Sequence, residues 1–183
     1  MGAEIRQRDK LRLLIASSPV WQQWTGLSAA ESASRIIWPD YPNESLPACV
    51  LVLGQSTRST QPSQQGQASS YKANGQITAM FFDAVDVAAI EAASGDADML
   101  VAARMAEDSR FGGLMTDVVD DCLARVGPTA QRIKSVSFDP VPWRRSEINA
   151  VYENPEDEAI AEIEAHFTGA YWQGSAHFQW GAF

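Results

Sequence analysis

Few side chains in this chain are of types that do chemistry, and their spacing limits what each can do. His166 and His177 have ten residues between them and fall on different expected elements. Zinc needs three or four convergent ligands, and no ligand-spaced cluster of Cys, Asp or Glu accompanies either histidine. Cys49 and Cys122 lie in the apolar contexts ACVLVL and VVDDCLARV. Their number allows one bridge, but free thiols within a core are the simpler expectation. A Cys–His nucleophile built on Cys122 meets a further obstacle, because its helical phase turns the thiol inward, away from anything that would stabilise a thiolate. Asp117, Asp120 and Asp121 share one helix; paired carboxylates run acid–base chemistry only when they flank a substrate and their pKa values diverge. No cleft-forming pattern lies near them, so a solvated helix face is expected. The glycines at 2, 112, 113 and within 54–75 fit neither a P-loop, which needs a lysine followed by Ser or Thr, nor a strand-to-helix dinucleotide fingerprint. The expectation is a protein that is not an enzyme, with no catalytic residue, no cofactor and no metal. The enzymatic alternative is a small hydrolase pairing Asp120 or Asp121 with His166 or His177.

Interaction chemistry is better represented. The 183 residues carry 23 acidic and 14 basic side chains, for a net charge of -9. A diffuse basic surface for gripping nucleic acid is therefore not expected. The charge is uneven: residues 1–58 sum to +1, 76–126 to -7 and 139–183 to -6. An acidic face of that kind repels nucleic acid and attracts a basic partner. Arg144 and Arg145 beside Trp143 suit an interchain ion pair. Six tryptophans are many for a small core, and Trp143, Trp172 and Trp180 fall near expected strand exits, where exposed aromatic anchors serve interfaces. The opening MGAEIRQRDKLRLL scatters charge where a signal peptide needs an apolar stretch, and no apolar run nears the roughly 20 residues of a membrane span. A soluble chain in a reducing compartment, with no membrane partner, is expected.

The elements that must position these residues follow from periodicity. Ile5, Leu11, Leu14 and Ile15 give a helix over 4–17, which Ser18-Pro19 should stop. A short apolar passage through Val20, Trp21, Trp24 and Leu27 precedes a second helix over 28–35, where Ser28 and Glu31 match a capping box. Pro39 and Pro42 enforce an extended path. ACVLVL at 48–53 reads as a strand. Residues 55–76 then contain one aromatic and no aliphatic side chain larger than alanine. Nothing there offsets the entropy of ordering, so a long mobile hairpin loop is expected, with Arg58, Tyr71 and Lys72 as its contact-making side chains. ITAMFF at 77–82 is the returning strand. A helical insertion occupies 84–107: Asp83 or Asp86 caps a helix that Gly95 breaks, and a second piece runs over 96–107. From Phe111 to Val126 apolar residues recur at +3, +4, +7, +8, +11, +12 and +15, an amphipathic helix closed by Gly127-Pro128. Residues 133–139 alternate as a strand, and PEDEAIAEIEAHF reads as a short acidic helix within an acidic connection, 153–167. At 171–180, Trp172, Gly174, Ala176, Phe178 and Trp180 alternate with polar residues as a half-buried last strand.

These elements make one α+β domain over 1–183, a mainly antiparallel four-stranded sheet packed against helices, interrupted by a long flexible hairpin loop. The opening helix with RIIWPDYP running into LPACVLVLG, FGGLMTDVVDDCLARV followed by IKSVSFDPVPWR, and the closing YWQGSAHFQWG give an element order that resembles the tail-terminator and tail-completion (neck) proteins of long-tailed bacteriophages. The resemblance implies a virion subunit that closes into a homo-oligomeric ring, usually sixfold. Such a ring joins head connector and tail or caps the tail tube, with neighbouring neck or tail-tube proteins as partners. DNA would pass through without specific binding, and the long loop would reach a neighbour. The family brings no catalytic residues. The insertion at 84–107 and the connection at 153–167 are longer than such a compact fold needs. The other non-enzymatic reading is a bacterial adaptor or secretion-associated subunit with the same body, since fold does not dictate role.

Overall fold

The computed structural model describes residues 3–37, 45–61, 70–93, 95–125, 133–137, 144–146 and 171–182. Helix α1 (Ala3–Ala16) buries Leu11 and Ile15 completely and presents Arg6, Lys10 and Leu13 outward. Ser18 ends it and at once caps another helix. Its hydroxyl accepts a hydrogen bond from the Trp21 amide at 3.4 Å, and Pro19 takes the first helical position, where its missing N–H is no loss. The passage through Val20 and Trp24, expected only as an apolar connection, is thus helix α2 (Pro19–Thr25), closed by Gly26 in the left-handed region at φ 67. Ser28 and Glu31 form the expected capping box, but α3 (Ala29–Ser32) lasts one turn before tightening into a 3-10 turn at Ala33–Arg35.

The sheet contains β1 (Ile36–Ile37), β2 (Ala48–Gln61), β3 (Ser70–Ala84), β4 (Ile133–Ser137), β5 (Arg144–Ser146) and β6 (Tyr171–Ala182). Its order is β1-β2-β3-β6-β4, with β5 also pairing β6. The α+β class and the antiparallel framework of β2, β3, β6 and β4 are as expected from the sequence. Two short strands extend it: β1 runs parallel to β2, and β5, which carries Arg144 and Arg145, runs antiparallel to β6.

The polar stretch 55–76 differs from its expectation. The β2–β3 ladder continues from Ala48↔Phe82 to Gln61↔Ser70, with an irregularity between Leu53 and Ser56, so most of the supposed loop is paired strand. A ladder satisfies backbone N–H and C=O groups whatever the side chains, and serine, threonine and glutamine do not prevent it. β6 lends a third strand as far as Ala73↔Ala182. Residues 62–69 lie outside the described residues, as do 38–44, the expected acidic helix and the whole 153–167 connection.

The helical insertion also differs. Asp86 caps α4 (Val87–Ala92) through the Ala89 amide at 3.0 Å. Asp96 accepts from the amides of Asp98 and Met99 and starts α5 (Ala97–Arg125), one 29-residue helix where two pieces were expected. Gly112 and Gly113 cost about 1 kcal/mol each relative to alanine. The buried stripe of Phe111, Met115, Val118, Val119 and Cys122 on either side of them holds the helix through.

Strand alternation sorts the sheet into two faces. Cys49, Leu51, Ile77, Ala79, Phe81, Ala176 and Phe178 join α1, α2 and α5 in the main core. The opposite face buries Ala48, Val50, Met80 and Phe82 with Ile37.

Candidate functional site

The sequence-derived interface residues occupy two ends of one strand system. On the β2–β3 ribbon, Arg58 pairs with Ala73, Lys72 with Ser59 and Tyr71 with Thr60. Beyond Ala73, among the described residues, the ribbon is two-stranded. At the other end, Arg144 and Arg145 on β5 pair with Gln173 and Trp172. β6 runs ten residues from Trp172 to Ala182, roughly 33 Å at strand rise, so the two basic sets cannot serve one small contact. Trp143 lies outside the described residues.

Trp172 and Trp180 are not exposed anchors, which corrects their sequence-derived role. They are 7% and 3% exposed and belong to the main core. Both lie on the apolar side of the β6 alternation, which faces the helices, so nearness to a strand exit was a poor guide. Trp180 lies against its register partner Gly75, where a Cβ would come within 2.8 Å of the indole ring. The glycine is what allows the indole to approach the ladder this closely at the root of the ribbon. Trp172 stacks on Phe111 with ring centroids 6.4 Å apart, and Trp24 stacks on Phe81 at 5.9 Å. The tryptophan surplus is, for the four that are described, core packing.

The densest group of polar contacts is one that sequence reading missed. Arg110 on α5 donates to Asp83 Oδ2 at 2.8 Å, to Glu107 Oε1 at 3.0 Å and to the Ala84 carbonyl at 3.3 Å. Trp24 Nε1 donates to the same Asp83 oxygen at 2.9 Å, and the Asp86 amide donates to Glu107 Oε2 at 3.2 Å. Asp83 and Glu107 are both buried. The Arg110 guanidinium holds the Glu107 carboxyl below its ordinary 4.5, with the Asp86 amide and the nearby Trp172 indole helping and burial opposing. Glu107, above all, raises Arg110 further into its charged range. The Arg110 guanidinium answers both carboxylates, and the node ties the end of β3 to α2 and α5. Its sequence signal was faint: an i,i+3 Glu–Arg pair and an aspartate just after ITAMFF.

The hydrolase pairing is not brought together. His177 Nδ1 lies 2.9 Å from Gln76 Nε2 and 3.0 Å from Thr78 Oγ1, on the sheet face opposite α5. Asp120 is exposed on α5 and Asp121 is held by Arg125 at 2.6 Å, so the sheet stands between them and the imidazole. His166 lies outside the described residues. Cys49 and Cys122 are free and buried. Burial pushes Cys122 up to about 12 and Cys49 well above its ordinary value, so both stay protonated and unreactive. Among the described residues no group of His, Cys, Asp and Glu could hold a metal ion, and no helix is long and apolar enough to cross a membrane.

On the described surface, the β2–β3 ribbon continues past its last pairing with β6. No protein-family model matches the chain, and no curated protein matches it in sequence.

Proposed function

We propose that the chain is a structural subunit of a bacteriophage neck or tail-terminator ring, joining head connector to tail or capping the tail tube in the virion. The observation that carries this reading is the ribbon. Residues 59–61 and 70–72 extend the ladder beyond the reach of β6 with serine, threonine, glutamine, lysine and tyrosine, a composition with no core of its own to build. Among the described residues no strand of the same chain pairs with it there, and a strand pair of that kind can take a third partner from another polypeptide, by ladder extension or side-chain contact. The α+β body with helices on one sheet face is of the kind the phage resemblance implies. The net charge of -9 suits a ring that surrounds DNA without gripping it. Closure of such a ring takes a heterologous interface, one patch meeting a different patch on the next copy.

Replacing residues 59–72 by an Asn-Gly turn joins Arg58 to its partner Ala73 in a two-residue hairpin. The expected result is an unchanged melting temperature, within about 2 °C, with assembly lost in size-exclusion chromatography against the full-length chain. Normal assembly by the trimmed protein would remove the ribbon from the function.

A further inference from the structure

The first turns of α5 are apolar on nearly every side: residues 99–106 read MLVAARMA, with a single charge. A helix of that composition is ordinarily covered all round. Here Leu100 turns to the core, while Met99, Val101 and Met105 stand 59%, 55% and 65% exposed. Val101 and Met105 are one turn apart, and Ala102 and Ala106 fill the surface between them and Met99. Exposed large apolar side chains scattered singly need no explanation, but a contiguous face of them does. Its surroundings are acidic. Residues 86–106 hold four carboxylates and one arginine, and Asp96 and Asp98 are exposed at the start of the helix.

The opposite composition occurs elsewhere on the same molecule. α1 carries four basic and two acidic residues, and its outward line places Arg6, Lys10 and Leu13 at successive turns. Leu13 is 66% exposed. Arg125, at the far end of α5, donates to the Leu14 carbonyl and to Ser17 Oγ, both at 2.7 Å, which fixes the end of α1 beside the end of α5. Met105 lies twenty residues earlier on α5, roughly 30 Å away at helical rise. The two surfaces are thus distant, unlike in charge and each centred on exposed apolar side chains.

We infer that the acidic, methionine-bearing face at the start of α5 docks the basic outer side of α1 from a second copy of this chain, with Leu13 against Met105. Opposite charge sets the register and the apolar side chains supply the dry centre. Because each copy offers one surface of each kind, the contact is head-to-tail. It rests on the proposed ring and specifies which faces of the chain make it.

Cysteine cross-linking of the full-length protein tests this, since Cys49 and Cys122 are buried and leave the introduced thiols as the reactive ones. Leu13→Cys and Met105→Cys are made separately, checked for unchanged melting temperature, and mixed under mild oxidation by diamide. The expected result is a disulfide-linked dimer in the mixture, about tenfold above either variant alone. Adding Arg6→Glu and Lys10→Glu to the Leu13→Cys chain lowers that yield about tenfold, and Asp98→Lys on the Met105→Cys chain restores it. Dimer formed equally by one variant alone, or no dimer in the mixture, overturns the docking. If the unmodified protein still assembles when the mixture fails to cross-link, only this interface is lost. If it stays monomeric as well, the ring reading falls with it.

Discussion

Trp180→Ala is expected to destabilise the protein by about 3–5 kcal/mol, the range for removing a large aromatic side chain from a packed core. At this chain length that corresponds to a fall of roughly 10 °C in melting temperature. The indole is 3% exposed, and its ring closes over Gly75 at the base of the ribbon. Removing it opens a cavity on the helix-facing side of β3 and β6 that neither backbone can collapse into, because both are held in register from Ala73↔Ala182 to Ala84↔Tyr171. Thermal unfolding followed by circular dichroism reads the effect. A change below about 0.5 kcal/mol, the size typical of a surface site, accompanied by loss of assembly would return Trp180 to the interface role its position near a strand exit first suggested.

Arg110→Ala is expected to cost about 2–3 kcal/mol at neutral pH. A fully buried pair that loses one partner costs 3–5; here the arginine side chain is 38% exposed, and solvent screens part of the loss. The substitution leaves the Asp83 and Glu107 carboxylates buried without their common cation. The effect depends on pH with a definite sign. In the wild-type protein the carboxyl of Glu107 titrates below its ordinary 4.5. Its contribution to stability is therefore complete above that value and is lost as the pH falls through the depressed folded value. In the variant the same carboxyl has lost the group that held it down and accepts a proton more readily. The gap between the two proteins is then expected to narrow steadily below about pH 5. Denaturant titrations at several pH values check this, and a gap that stays constant down to pH 3 would mean that the node contributes packing rather than charge. Arg110→Lys should fall between the two, since a lysine keeps the charge but not the fork that reaches Asp83, Glu107 and the Ala84 carbonyl together.

Local rules made parts of this architecture legible. Ser28 and Glu31 announced a helix start, and the apolar recurrence from Phe111 to Cys122 announced a packed face, because both depend on neighbours within a few residues. The alternation over 171–180 likewise announced which side of β6 is buried, and it should have outweighed the argument that put Trp172 and Trp180 outside. Other features depended on partners remote in the chain. Nothing local to 55–61 says strand; its order comes from backbone bonds to 70–75 and, in part, from β6. Gly112 and Gly113 look like a break until the core contacts on both sides are known. The Arg110 node joins residues 24, 83, 86, 107 and 110, of which helical spacing connects only 107 and 110. Surfaces for other molecules are the hardest to read, since a sequence identifies side chains that could make contacts without showing which are already used inside. Arg58 and Arg145 matched equally well as interface residues and lie at opposite ends of the sheet.

Native mass spectrometry of the intact protein over a concentration series, alone and with phage neck or tail-tube proteins, tests the ring most directly. The expected spectrum holds a discrete assembly of more than two copies that grows with concentration or with a partner. A 20.0 kDa monomer at every concentration and with every such partner would contradict it.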